Sequence, residues 1–280
     1  MKVATSGDAL RQMTMELPRP WVLVPTMGAF HPGHVSLMHK AREIAGAQGT
    51  VVVSIFVNPI QFDRASDLAS YPRPMDSDLA ECIAAGVDVV FAPETDSMYF
   101  PDRSVTVTET LLSRGLCGAT RPGHFDGVCT VVLKLFLRSG CNVAIFGEKD
   151  FQQLAVIRRM VRDLDVPVEI ISCATVRDSD GLAMSSRNVR LTPEQRADAP
   201  RVYKALQIAA ELATAAEILG SARDCIEGSP LARIDYLSLV DAETLQPTIS
   251  LHRPSVLATA VFYGEVRLID HVAVTPRKIP

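Results

Sequence analysis

Short runs of aliphatic and β-branched residues alternate with stretches patterned for helices, and this rhythm restricts the fold more than any other feature of the chain. The strand candidates are WVLV (21–24), TVVVSIFV (50–57), VDVVFA (87–92), NVAIF (142–146) and VEIIS (168–172). Between them lie HVSLMHKAREIA, DSDLAECIAA, FDGVCTVVLKLFLR and FQQLAVIRRMVRDL, each with apolar residues at helical spacing. Strands separated by helical segments of this length pair in parallel, because a crossover is needed to return the chain to the same edge. Strands that are apolar at nearly every position are covered on both faces. The expectation is an α/β fold with a doubly wound parallel sheet, whose ligands bind outside the carboxyl ends of the strands. Residues suited to chemistry follow those ends: PTMGAFHPGH, NPIQFD, GEKDFQQ and ATVRDSDGLAMSSRN.

Beyond Asn188 the texture changes. TPEQRADAPRVYKALQIAAELATAA reads as a helical block, with a second helix near 217–227 and then strands RIDYLSLVD, SVLATAVFY and EVRLIDHVAV. That order predicts a smaller α+β domain starting near residue 175, so that residues 1–175 and 176–280 form two domains.

Composition excludes several classes of function. Lys and Arg number 28 against 32 acids, which gives no basic footprint for nucleic acid or an anionic membrane. The amino-terminal MKVATSGDALRQMTMEL lacks the uninterrupted apolar core of a secretory signal, and no apolar run approaches the roughly 18 residues of a membrane span. A cytoplasmic protein is expected. The six cysteines, at 82, 117, 129, 141, 173 and 225, form no CxxC, so they read as buried thiols and not as a zinc site or a disulfide framework.

The segment TMGAFHPGHVSL (26–37) carries the most pointed chemistry. A helix starting near Gly33 offers backbone N–H groups and a partial positive charge to an anion, and phosphate is the obvious one. Gly28 and Gly33 let a polyphosphate approach the backbone, and Pro32 sets the turn. His31 and His34 lie along one side of that turn as donors to the same ligand. A pair of helix-cap histidines or half of a metal site are the alternatives, and no cluster at ligand spacing supports a metal. In GLAMSSRN (181–188), the hydroxyls of Ser185 and Ser186 and the guanidinium of Arg187 suit phosphate oxygens, on a loop that Gly181 makes flexible. A serine helix cap beside a solvated arginine is the plainer reading. In FGEKDFQQ, Lys149 can meet a phosphate as a point charge, whereas Asp150 can bond a ribose hydroxyl, cap the next helix or pair with Lys149.

HxGH after the first strand candidate and an MSxR-like loop after the last resemble the two signatures of the adenylate-forming nucleotidyltransferase superfamily. With VSIFVNPIQF, YPRP, GVDVVFAP, RPGHFDGVCTVV, FGEKDFQQL, TVRDSDGLAMSSRN and DYLSLVDAETL in order, nearly the whole chain resembles the pantothenate synthetases, the pantoate–β-alanine ligase family. The resemblance implies a Rossmann-like amino-terminal domain, a carboxyl-terminal lid domain and a homodimer, for which the apolar residues near 104–108 offer an edge. It also implies a two-step ligation through an enzyme-bound pantoyl adenylate. ATP would lie against Met27, Gly28, Ala29, Phe30, His31, Pro32, Gly33 and His34. It would also meet Gly147, Glu148, Lys149, Asp150, Val176, Met184, Ser185, Ser186 and Arg187. The matched positions put catalysis on His34 (the proton donor), His31, Lys149, Ser185, Ser186 and Arg187.

Pantoate would be bound by Gln61 and Gln153, with Gln61 also near β-alanine; as neutral amides both orient a carboxylate or hydroxyl without competing as nucleophiles. Arg121 and His124 either contact substrate or close a loop. Mg2+ is expected to arrive with ATP, held by phosphate oxygens and water, while Asp76, Asp78 and Glu81 either add an outer ligand or complement a helix dipole. Phe30 for the family's usual Leu, the loop QFDRASDLASYPRP and Glu265 for a frequent Lys depart from the pattern. A sister enzyme transferring AMP to a phosphorylated cofactor precursor would give a dinucleotide, not free AMP and an amide. A regulatory protein that binds nucleotide without turnover would have lost motif side chains that are present here. A class I aminoacyl-tRNA synthetase would need an RNA-binding extension that neither the length nor the net charge of -4 provides.

Overall fold

The computed structural model describes residues 1–276. The chain divides into two compact units that are interleaved in sequence. The first comprises Met1–Glu109, Arg121–Glu148 and Val156–Ala174, and the second Thr110–Thr120, Lys149–Ala155 and the chain from Thr175 on.

The first unit holds a parallel sheet of β1 (Lys2–Ala4), β2 (Trp21–Thr26), β3 (Thr50–Ile55), β4 (Val89–Phe91), β5 (Val143–Gly147) and β6 (Glu169–Cys173). Its strand order is β1-β4-β3-β2-β5-β6, with every neighbouring pair parallel. All five candidate strands are present. The short β1 was not visible as a pattern because three residues cannot display a period.

Both faces of the sheet are buried, as the continuous apolar runs require. Val22, Val24, Val51, Val53 and Ile145 pack with Leu37, Met38 and Ala41 of the helix Pro32–Ala45. On the other parity, Leu23, Val52, Phe91 and Phe146 are also buried, and the Phe146 ring meets Phe136 of the helix His124–Ser139 edge-on at 6.4 Å. Fully burying side chains of this size stabilises by roughly 1.5–3 kcal/mol each. The order of strand addition switches sides at β2, with β3 and β4 added on one side and β5 and β6 on the other. The carboxyl ends of β2 and β5 therefore flank a topological switch point, where open sheets of this kind bind ligands.

The second unit contains an antiparallel sheet, β7 (Ala232–Asp241), β8 (Ser255–Tyr263) and β9 (Val266–Val274), paired in that order. The helices Pro200–Ala210 and Ala215–Glu227 bury Leu206, Ala209, Ile218 and Ala222 against Leu239, Leu257 and Val274. The helical block expected over 192–216 is broken by local chemistry. Pro200 separates Pro193–Asp198 from Pro200–Ala210, and Thr214 opens the next helix with a capping box to Glu217.

The segment 104–108 forms no strand; the Val107 N–H donates to the Thr130 hydroxyl at 3.0 Å. Among the described residues no helix is long and apolar enough to cross a membrane. Cys82, Cys117, Cys129 and Cys141 are buried, as expected, while Cys173 and Cys225 are half-buried.

Arg177 and Asp270 form a bidentate pair at 2.7 and 2.8 Å, and the guanidinium lies 3.4 Å from the centre of the Tyr203 ring. Asp270 is 7% exposed, so removing its charge strands a cation in a poorly solvated place. Asp270→Asn is expected to lower the stability of the second unit by about 3 kcal/mol, measured by urea unfolding.

Candidate active site

The segment after β2 is shaped by one carboxylate. Asp78, on the helix Met75–Ala84 and 2% exposed, accepts the Ala29 N–H through Oδ2 and the Phe30 N–H through Oδ1, both at 2.8 Å. Ala29 has φ +53°, a left-handed conformation that an alanine adopts at a cost, and the two charge-assisted bonds hold it there. Gly28, at φ +78°, is required as well: a Cβ there would stand 2.7 Å from Asp78 Oδ2 and 3.0 Å from Ile55 Cγ2. Thr26 completes the turn, its hydroxyl donating to the Ser54 carbonyl at 2.5 Å and accepting the Gly28 N–H at 3.2 Å.

This geometry corrects one expectation. The N–H groups in the first turn of the helix near Gly33 were expected to receive an anion, yet those of Gly33, His34 and Val35 are engaged within the protein. Gly28, Ala29 and Phe30 donate as described, Gly33 donates to His31 Nδ1 at 3.1 Å, and His34 and Val35 donate to the His31 carbonyl. Imidazole side chains are what the segment presents. His31 caps the helix Pro32–Ala45 through Nδ1, so in the neutral ring the proton sits on Nε2. The His31 and His34 rings lie 4.1 Å apart between centroids, with Phe30 against His34 at 5.4 Å.

Gln61 occupies a one-turn helix, Pro59–Gln61, and is 9% exposed. Its Nε2 reaches Met27 Sδ at 3.2 Å, which joins the expected pantoate residue directly to the expected nucleotide segment. Arg121 and His124 serve the same turn by closing it. His124 Nδ1 donates to the Gln61 carbonyl at 2.8 Å, Arg121 Nη2 donates there at 3.3 Å, and Arg121 Nε binds Asp63 at 2.7 Å. Burial works to raise the Asp63 carboxyl, but the Arg121 hydrogen bond and charge outweigh it and leave the pKa lowered. Gly147 ends β5, and Glu148 beside it accepts the Ser172 hydroxyl at 2.8 Å.

The remaining expected residues belong to the second unit. Lys149 Nζ stands 3.8 Å from Asp150 Oδ2. Val176 and Met184 face each other across a tight hairpin, Met184 N–H donating to the Val176 carbonyl at 3.0 Å. Gly181, at φ +96°, makes the turn of that hairpin instead of loosening a loop. Arg177 donates to the Gly181 carbonyl, and Arg196 binds Asp178 and Asp180 at 2.9 and 2.6 Å. Ser185 Oγ accepts the Arg187 N–H at 3.2 Å, fixing the start of SSRN, and Asn188 ties back to the Ala183 carbonyl. Gln153 is half-buried on the helix Phe151–Asp163. Glu265 is exposed in the turn joining β8 and β9.

Three supporting residues escaped the sequence reading. Asn58, Gln152 and Tyr99 are buried polar groups whose partners are distant in sequence. Gln152 binds the carbonyls of Leu112 and Gly115 and the N–H of Cys117, which anchors the segment 110–120 beside Gln153. A glutamine doublet in an otherwise apolar helix start was the available signal.

Of the acidic trio on the helix Met75–Ala84, Asp76 and Glu81 are exposed, and both Asp78 oxygens are committed to the backbone. Among the described residues no group of three or more His, Cys, Asp or Glu could hold a metal ion. Asp78→Asn replaces one acceptor by a donor facing an N–H, and is expected to lower stability by about 2 kcal/mol in urea unfolding while releasing Ala29 from its left-handed conformation.

Comparison with known proteins agrees with this architecture. Residues 2–273 match the family model described as pantoate-beta-alanine ligase. A pantothenate synthetase of Akkermansia muciniphila is 55% identical over 255 residues, 90% of this chain and 91% of that protein. A crystal structure of the Thermus thermophilus pantothenate synthetase superposes with a TM-score of 0.92 at 43% identity, covering 99% of this chain and all of that one. A Francisella tularensis pantoate-beta-alanine ligase, crystallised with beta-gamma ATP and beta-alanine, gives 0.82 at 32% identity, with 97% of both chains covered. The chain belongs to the pantoate–β-alanine ligase family and is a ligase.

Proposed function

We propose that the chain joins (R)-pantoate to β-alanine at the expense of ATP, through a pantoyl adenylate. The observation that carries this reading is the pair of imidazoles, tilted against each other at 4.1 Å, in the segment that follows β2 at the switch point of the sheet, a segment whose Met27 meets Gln61. In this reading ATP is bound by Met27–His34, Gly147–Asp150, Val176 and Met184–Arg187, the positions that match the family's nucleotide signatures. Pantoate is bound by Gln61 and Gln153. The relative crystallised with beta-gamma ATP and beta-alanine supports both the nucleotide and the second substrate.

In the first step a carboxylate oxygen of pantoate attacks the α-phosphorus, the bond to the bridging oxygen of the β-phosphate breaks, and pyrophosphate leaves. Alignment of the two reactants contributes roughly 7–11 kcal/mol. In this reading His31 Nε2–H, His34 and Lys149 donate to the negative charge that grows on the departing pyrophosphate, with Ser185, Ser186 and Arg187 as further donors. In the second step the amine of β-alanine attacks the acyl carbon, loses a proton and expels AMP with the oxygen it carries. No enzyme group forms a covalent bond.

Mg2+ enters with the nucleotide as part of the substrate. In this reading it is held by phosphate oxygens and water. The chain after residue 175 acts as a lid domain in this reading, with Thr110–Thr120 and Lys149–Ala155 grouped with it, in a cytoplasmic homodimer.

Two outcomes test the reading. With ATP and pantoate alone the protein should release pyrophosphate, and AMP should appear only when β-alanine is added; formation of a dinucleotide product would favour the AMP-transfer alternative. His34→Ala and Lys149→Ala should each slow pyrophosphate release by about 10²–10³-fold with an unchanged circular dichroism spectrum.

A further inference from the structure

Gln61 can present either end of its amide to a substrate, and a buried relay decides which. The carbonyl of Gly127 has no proton to give, so the end of Asn58 that faces it at 3.0 Å is Nδ2. The second proton of Nδ2 goes to Gln61 Oε1 at 2.9 Å. On the far side, Asn58 Oδ1 accepts the Tyr99 hydroxyl at 2.7 Å. Asn58 is 1% exposed and Tyr99 8%, so neither partner can be replaced by bulk water. With Oε1 turned inward, Nε2 is the end of Gln61 left to reach outward, and one of its protons already meets Met27 Sδ.

The approach of the elements that carry the relay is unusually close. A Cβ on Gly127 would stand 2.5 Å from the Ile60 carbonyl oxygen and 2.7 Å from the backbone N and Cα of Gln61. The helix His124–Ser139 thus delivers its carbonyl to Asn58 only because residue 127 has no side chain. Burial also pushes the Tyr99 phenol pKa up, which keeps it a donor at every working pH.

We infer that Tyr99 is a positioning residue for pantoate: through Asn58 it holds the Gln61 amide with its NH2 end toward the substrate, so that the group bound there must be a hydrogen-bond acceptor such as a carboxylate or hydroxyl. This rests on the assignment of Gln61 to pantoate made above.

The test is steady-state kinetics of pyrophosphate release with Tyr99→Phe, Gln61→Ala and the double variant. Tyr99→Phe should raise the KM for pantoate about tenfold while the KM for ATP moves less than about twofold. In the Gln61→Ala background the same change should add less than about twofold, because both act through one amide. If Gln61→Ala leaves the pantoate KM unchanged, the assignment of Gln61 fails and the relay with it. If Gln61→Ala raises that KM but Tyr99→Phe does not, or if Tyr99→Phe shifts both KM values together, the relay alone is overturned. Should Tyr99→Phe not fold, the unaltered protein with 15N-labelled glutamine provides the second measurement. Pantoate should shift the Gln61 side-chain amide protons, and resonances that stay in place would overturn the proposal.

Discussion

The Asp78 carboxylate is the contact on which the segment after β2 depends. By accepting two successive backbone N–H groups it holds Ala29 at a positive φ, and the chain leaves that bend already aimed into the helix that His31 caps. Burying an ionised carboxylate is unfavourable unless its hydrogen bonds are made, and here they are made to the backbone it must shape. The same commitment changes the character of the segment, since the peptide N–H groups of Gly28, Ala29, Phe30 and Gly33 are satisfied within the protein.

A similar logic recurs in each unit. Asn58 and Tyr99 define the turn that carries Gln61, while Arg121 and His124 close it from the other side through the Gln61 carbonyl. In the second unit, Arg177 grips Asp270 and the Gly181 carbonyl, and Gln152 fastens the segment 110–120. Each of these groups is held by fixed partners, which gives the neighbouring functional side chain a single orientation before substrate arrives. Preorganisation of this kind lets neutral amides and imidazoles hold one geometry without reorganising.

Family membership and geometry contribute different things. The match over residues 2–273 establishes the class of enzyme. It does not say why Gly127 has no side chain or why Gln61 turns its oxygen inward; those follow from the Ile60 carbonyl lying within 2.5 Å of where a Cβ would be, and from the Gly127 carbonyl facing Asn58. The departures noted in the sequence also acquire a place. Phe30 packs on the His34 ring, and Glu265 sits exposed in a surface turn.

What the sequence determined by itself was whatever depends on local pattern. Continuous apolar runs separated by helical periods required a parallel sheet covered on both faces, and HPGH marked the start of a helix, because strand period, helix period and turn chemistry are written in neighbouring residues. Only the tertiary structure decided the rest. Asp78 and Ala29 are 49 positions apart, Asn58 and Gly127 are 69 apart, and Tyr99 meets Asn58 across 41. A carboxylate in DSDLAECIAA reads equally well as a surface charge or as the clamp of a distant loop, and the direction in which an amide points is set by an oxygen that folding alone brings beside it.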